Sequence, residues 1–178
     1  MNFNLSIIRL KIMFYLLIGK IRNFPPKIQL PNNQKVKNIA IFFPTDENSF
    51  RLSLYSFRKF DFNKENITYY FIINQKFQNM ISLSSPNMIF VNYKKNKIKF
   101  YNLEQENLLV KNKMDIIVDL NLDFSFGASK FIAYLKSNIK IGFQSRFSDY
   151  FYNLQLESND DGTIEQSYQR IQHILGSL

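Results

Sequence analysis

Residues Asp115-Ile-Ile-Val-Asp-Leu-Asn-Leu-Asp-Phe124 through Lys140-Ile-Gly-Phe143 spell a strand, a helix and a second strand in under thirty residues. Ile116, Ile117 and Val118 form a β-branched run, the pattern of a strand buried on both faces. After a polar turn, Phe124, Ala128, Phe131 and Leu135 recur at i, i+4, i+7 and i+11, which places them on one helix face. Ile139 to Gly142 then resumes as a strand. A parallel β-α-β unit of this kind builds the open, twisted sheets whose strand ends hold nucleotides and sugars.

The rest of the chain extends the same alternation. Val36 to Phe43 reads as a strand ending at Pro44, and Asp46 or Thr45 is placed to cap a helix that buries Phe50, Leu54 and Phe57. Ile67 to Ile73, rich in β-branched and aromatic residues, reads as a second strand, followed by a short helical or irregular segment to about Ser84 that Pro86 ends. Met88 to Val91 predicts a third strand, Lys94 to Lys99 a solvated basic turn, and Glu104 to Asn112 a brief helix. Asn159-Asp-Asp-Gly162 announces a closing helix from about Thr163, with Thr163 or Asp161 as its cap. This order implies an α/β domain of three layers, a Rossmann-like, mostly parallel sheet with helices on both faces.

A length of 178 residues suits one domain with a short appendage. The chain has no cysteine, which excludes disulfides, zinc-thiolate sites and cysteine nucleophiles. Its single histidine, His173, lies opposite the Ile164, Tyr168, Ile171 and Leu175 face of the closing helix, where it is expected in solvent. A two-histidine metal site has no material to work with, and no metal is expected.

The net charge of +9 is unevenly placed. Residues 1–37 hold seven cations and no acid, so the remainder carries only +2. A nearly neutral body argues against nucleic acid as a partner, and the abundance of Phe, Asn, Ile and Lys fits an AT-rich coding sequence.

The basic arm centres on Ile12-Met-Phe-Tyr-Leu-Leu-Ile18, flanked by Arg9 and Lys11 before it and by Lys20 and Arg22 after it. A bilayer span needs about 20 apolar residues, so this run is too short, and no small-residue cleavage site follows it. Residues 1–23 therefore read as an N-terminal helix that docks on the domain or a protein partner, or makes a peripheral membrane contact through its cations. Residues 24–34, with Pro25, Pro26 and Pro31, read as a linker, and the domain as 35–178. The expected location is cytoplasmic, with room for a peripheral place at the inner membrane.

In open α/β sheets the working site lies at the carboxyl ends of the strands, which directs attention to Thr45, Asp46 and Glu47, to Asn74, and to Asp119, Asn121 and Asp123. Thr45, Asn74, Asp119, Asn121 and Asp123 are candidate ligand-binding residues. The same positions suit helix caps and turn residues, and Asp119 could hydrogen-bond the following turn. Pro44-Thr-Asp-Glu-Asn-Ser49 contains no glycine and carries two acids, which disfavours a dinucleotide there. No Walker loop or serine elbow is present, and no cofactor is expected.

Asp115-Ile-Ile-Val-Asp-Leu-Asn, the helix after it and Ile139-Lys-Ile-Gly-Phe143 resemble the N-terminal half of heptosyltransferase-like glycosyltransferases of family nine, with the GT-B fold. There a strand of this type is followed by a helix and an R-I-G-F strand. The chain is also similar to short uncharacterised Bacteroidota proteins that keep this half alone. The resemblance implies that Asp46 occupies the position of the catalytic base, although the family's Gly-Asp pair here reads Thr45-Asp46. It also implies that transfer would need a second domain for the nucleotide-sugar donor. The expected product is a non-catalytic binding or interaction module related to the acceptor half. The alternative is a glycosyltransferase subunit acting on an envelope glycan with a partner donor domain.

Overall fold

A computed structural model describes residues 3–21, 28, 35–64, 66–81, 83, 87–94, 97–158 and 163–177. In chain order these form α1 (Phe3–Leu17), β1 (Asn38–Phe42), α2 (Glu47–Phe57), β2 (Thr68–Asn74), β3 (Met88–Lys94), β4 (Lys97–Phe100), α3 (Leu103–Lys111), β5 (Met114–Asp119), α4 (Phe126–Tyr134), β6 (Ser137–Phe143), β7 (Leu154–Leu156) and α5 (Ile164–Gly176). Single 3-10 segments cover Gln75–Met80 and Ser148–Tyr150. Pro86, Asp161 and nearly all of the expected linker over 24–34 lie outside the described residues.

The seven strands form one sheet in the order β4-β3-β2-β1-β5-β6-β7, parallel throughout except for β3 with β4. β1 is central, with Ile41 registered on Phe71 of β2 and on Val118 of β5. Its Ile39, Ala40, Ile41 and Phe42 are fully buried, because helices cover both faces and leave no polar side for the strand. β1 is also where the winding reverses: the chain steps outward through β2 and β3, then returns to β5 on the other side. In such sheets that reversal opens a crevice at the strands' carboxyl ends.

Strand alternation divides the core in two. On one face Ile39, Ile41, Phe71, Ile116 and Val118 pack under α2 and α5. There Phe43 meets Phe71 edge-on at 5.3 Å and Phe50 stacks on Phe77 at 4.5 Å. On the other face Ala40, Phe42, Tyr70, Ile72 and Ile117 pack with Leu109 of α3, Ile132 of α4 and Ile12 of α1. Phe42, Phe43, Phe50, Phe71 and Phe77 are thus consumed in burial, where aromatic pairs add to the transfer of apolar area.

The Lys94–Lys99 turn is corrected by a strand. Lys97–Phe100 pairs antiparallel with β3, Tyr93 opposite Ile98 and Asn92 opposite Lys99. Lys97-Ile98-Lys99-Phe100 alternates, so Phe100 reaches the core while both lysines stay exposed. Charged side chains on an outermost strand also deter pairing with another chain. The helix expected from Phe124 begins two residues later, at Phe126. His173 is exposed, as its wheel position predicts.

α1 lies against the second face. Ile12 is 2% exposed, Leu5, Ile8, Tyr15 and Leu16 are partly buried, and the Tyr15 ring sits 5.9 Å from that of Phe126 on α4. No helix among the described residues is long and apolar enough to cross a membrane.

Candidate functional site

The winding reversal, where sheets of this kind place their crevice, is bordered by the segments that leave β1 and β5. After β1 the chain turns through Pro44 and Thr45 into α2. Asp46 is the N-cap of that helix, its Oδ1 accepting from the Ser49 amide at 2.8 Å. The cap satisfies one of the amides that the first helical turn leaves without a partner.

β5 ends at Asp119, which is 1% exposed and registered on Phe42 of β1. Its Oδ1 accepts from the Asn121 backbone amide at 3.0 Å and from Asn121 Nδ2 at 2.6 Å. Its Oδ2 accepts from the Tyr152 hydroxyl at 2.5 Å. Asn121 spends the other end of its carboxamide across the crevice, where its Oδ1 accepts from the Thr45 amide at 2.9 Å. One side chain thus ties the loop after β1 to the loop after β5.

Burial dominates the electrostatics here. It raises the Asp119 carboxyl above its ordinary value, although the bonds from Tyr152 and Asn121 pull the other way. The Tyr152 hydroxyl is raised by burial and then by the neighbouring carboxylate. It also contacts Ser129 Oγ at 2.8 Å. Ser129 Oγ also lies 3.0 Å from the Ser125 carbonyl, so with the Tyr152 proton directed at Asp119 the one Ser129 proton is shared between that carbonyl and the Tyr152 oxygen. Tyr93, on β3, points its hydroxyl into the same buried region. It too is raised by burial and by Asp119, and it has no hydrogen-bond partner among the described residues.

Gly142 explains how Tyr152 arrives. A Cβ at that position would stand 2.6 Å from the Tyr152 ring, well inside van der Waals contact. Only glycine lets the ring lie on β6 with its hydroxyl reaching β5.

The other expected residues take lesser places. Asn74 is buried at the end of β2, where its Oδ1 accepts from the Lys76 amide at 3.3 Å. Asp123 is exposed on the loop after β5. Tyr168 of α5 donates to the Leu120 carbonyl at 3.1 Å, and its raised hydroxyl pKa, set first by burial, also feels the charges of Asp46, Asp119 and Asp123. Thr45, Asp46, Asp119, Asn121 and Asp123 therefore converge around the reversal, while Asn74 stands beyond β1. Tyr93, Ser129 and Tyr152 were missed by sequence reasoning, and the one signal for Tyr152 was a glycine inside a strand. Among the described residues, no group of three acids or histidines could hold a metal ion.

No protein-family model matches the chain, and no curated protein matches it in sequence. Solved structures do. The E. coli heptosyltransferase WaaC with ADP superposes with a TM-score of 0.57 at 12% identity, covering 77% of this chain and 47% of that one. WaaC with ADP-2-deoxy-2-fluoro heptose gives 0.58 at 11% identity with the same coverage. The chain spans about half the length of the solved heptosyltransferase structures it matches. The half-domain resemblance thus holds as a likeness of fold, a Rossmann-like α/β sheet shared with about half of a heptosyltransferase.

Proposed function

We propose that the chain is a non-catalytic binding module related to the acceptor half of GT-B glycosyltransferases, taking a polar ligand at the crevice between β1 and β5. What supports this reading is the state of the two carboxylates nearest the reversal. A general base must offer a free lone pair within hydrogen-bond reach of the hydroxyl it deprotonates. Asp119 is out of solvent with both oxygens already bonded, and exposed Asp46 commits its Oδ1 to the first turn of α2. The crevice still offers the hydroxyl of half-buried Thr45 and the carboxylate of exposed Asp123 to a hydroxyl-rich ligand.

The test compares the chain with Asp46→Asn, since asparagine caps a helix about as well as aspartate but cannot act as a base. Each protein is incubated with ADP- and UDP-activated sugars and envelope oligosaccharides. Nucleoside diphosphate release and saturation transfer to the saccharide are then measured. The expected result is saturation transfer in both proteins and no nucleotide release from either. Release by the native chain that Asp46→Asn abolishes would establish the glycosyltransferase reading, with Asp46 as base. Absence of saturation transfer to every saccharide would remove the ligand from the reading.

A further inference from the structure

α1 has two apolar faces, and the fold uses one. Leu5, Ile8, Ile12, Tyr15 and Leu16 turn toward the domain. On the opposite side Leu10 is 72% exposed, Phe14 57% and Leu17 84%, with Met13 and Ile18 beside them. At about 100° per residue, Arg9 and Lys11 fall on the two borders between these faces. Read alone, the helix has no polar stripe because both sides are apolar. Docked, it becomes amphipathic in the sense that matters at an interface, with a bulky apolar face held outward and cations at its flanks.

The ground beside its C-terminal end is basic. A groove of about 930 Å³ runs from Tyr15 and Lys20 across the end of α4 to the starts of β4 and β5. Lys97, Lys113, Lys130 and Lys136 line it, and among the described residues Glu106 is its one acidic lining residue. Lys130 also lies 5.2 Å from the Tyr15 ring centroid, which joins the groove to the helix. Tyr134, 64% exposed, stands on the same wall, an amphipathic ring of the type enriched where hydrocarbon meets water.

We propose that this side of the molecule is a docking surface for an anionic lipid bilayer, with the outward face of α1 entering the headgroup layer and the lysine groove resting on lipid phosphates. The choice among occupants follows from having both features together. Nucleic acid would answer the lysines and leave Leu10, Phe14 and Leu17 in water. An apolar protein surface, including a second copy of this chain, would cover those side chains and leave the lysines unanswered. An anionic bilayer meets both demands, adding apolar insertion to attraction by surface charge. This inference rests on α1 and the groove, and is independent of the ligand in the β1–β5 crevice.

The test is flotation of the full chain with vesicles of phosphatidylcholine alone and of phosphatidylcholine mixed with phosphatidylglycerol. The expected result is binding to the mixed vesicles at least about tenfold tighter than to the neutral ones, weakening as salt is raised. Replacing Leu10, Phe14 and Leu17 together by serine should lower binding by more than about tenfold while leaving the urea midpoint unchanged, since all three are exposed. Replacing exposed Lys97, Lys113 and Lys136 by glutamine should weaken binding comparably and flatten the salt dependence. No vesicle binding, or binding that the triple serine variant retains, would overturn the proposal. So would a native dimer that the serine variant converts to monomer without any affinity for vesicles, which would assign the face to a second copy.

Discussion

At Asp119 two physical effects oppose each other. Burial penalises the charged carboxylate, and three donated hydrogen bonds partly offset that penalty. Because the folded-state pKa lies above the ordinary 3.8, the folded chain holds this proton at pH values where the unfolded chain has lost it. The contribution is fully present below the unfolded value and is lost as pH rises through the raised folded one. Stability should therefore fall as pH rises above the unfolded value, and Asp119→Asn should flatten that fall in urea midpoints measured across a pH series. Gly142→Ala should displace the Tyr152 ring and cost on the order of 1–3 kcal/mol in urea unfolding. Most of that cost should vanish in a Tyr152→Ala background, a coupling that a double-mutant cycle reads directly. The sequence placed Asp119 at the strand end correctly, because β5 is a local pattern. It concealed Tyr93, Ser129 and Tyr152, whose meeting depends on three other elements arriving over one carboxylate.

At the scale of elements, legibility followed periodicity. α2 and β6 were readable by their periods, about 3.6 for the helix and two for the strand, and β1 and β5 by unbroken runs of apolar residues. β4 was missed because its alternation is only four residues long and half lysine, so charge masked the pattern. α1 was ambiguous for the opposite reason: a helix apolar on both sides gives no moment from which to choose an inward face. Its docked face predicts an asymmetry that hydrogen exchange can test. Ile12→Ala should loosen α1 and speed amide exchange there, because a buried isoleucine truncated to alanine costs about 2–5 kcal/mol. Exchange in β1 and β5 should change little. Leu10→Ser, on the other side, should leave α1 as protected as before.

For the whole molecule, the central β1 and its two covered faces make the sheet one cooperative body, and its buried tyrosines report on that body. Burial pushes Tyr69 up to about 12 and raises Tyr93, Tyr152 and Tyr168 as well. For each, the folded pKa exceeds the unfolded value near 10, so its contribution is intact below about pH 10 and lost as pH climbs through the folded values. Phenolate absorbance should accordingly appear in two stages, exposed tyrosines first and the buried set only as near-ultraviolet dichroism collapses. Smooth titration of all tyrosines near pH 10 with the fold intact would contradict the burial of these four rings. The layered α/β architecture was legible from element order, since parallel strands joined through helices leave few arrangements open.

The seat of α1 also sets an order of events during synthesis. Tyr15 rests against Phe126, so the helix leaves the ribosome long before the segment that holds it has been made. At translation rates of roughly 5–20 residues per second the wait lasts several seconds. Throughout that time both apolar faces of α1 are without their resting place, which makes this nascent segment a natural client for whatever shelters hydrophobic chain as it emerges.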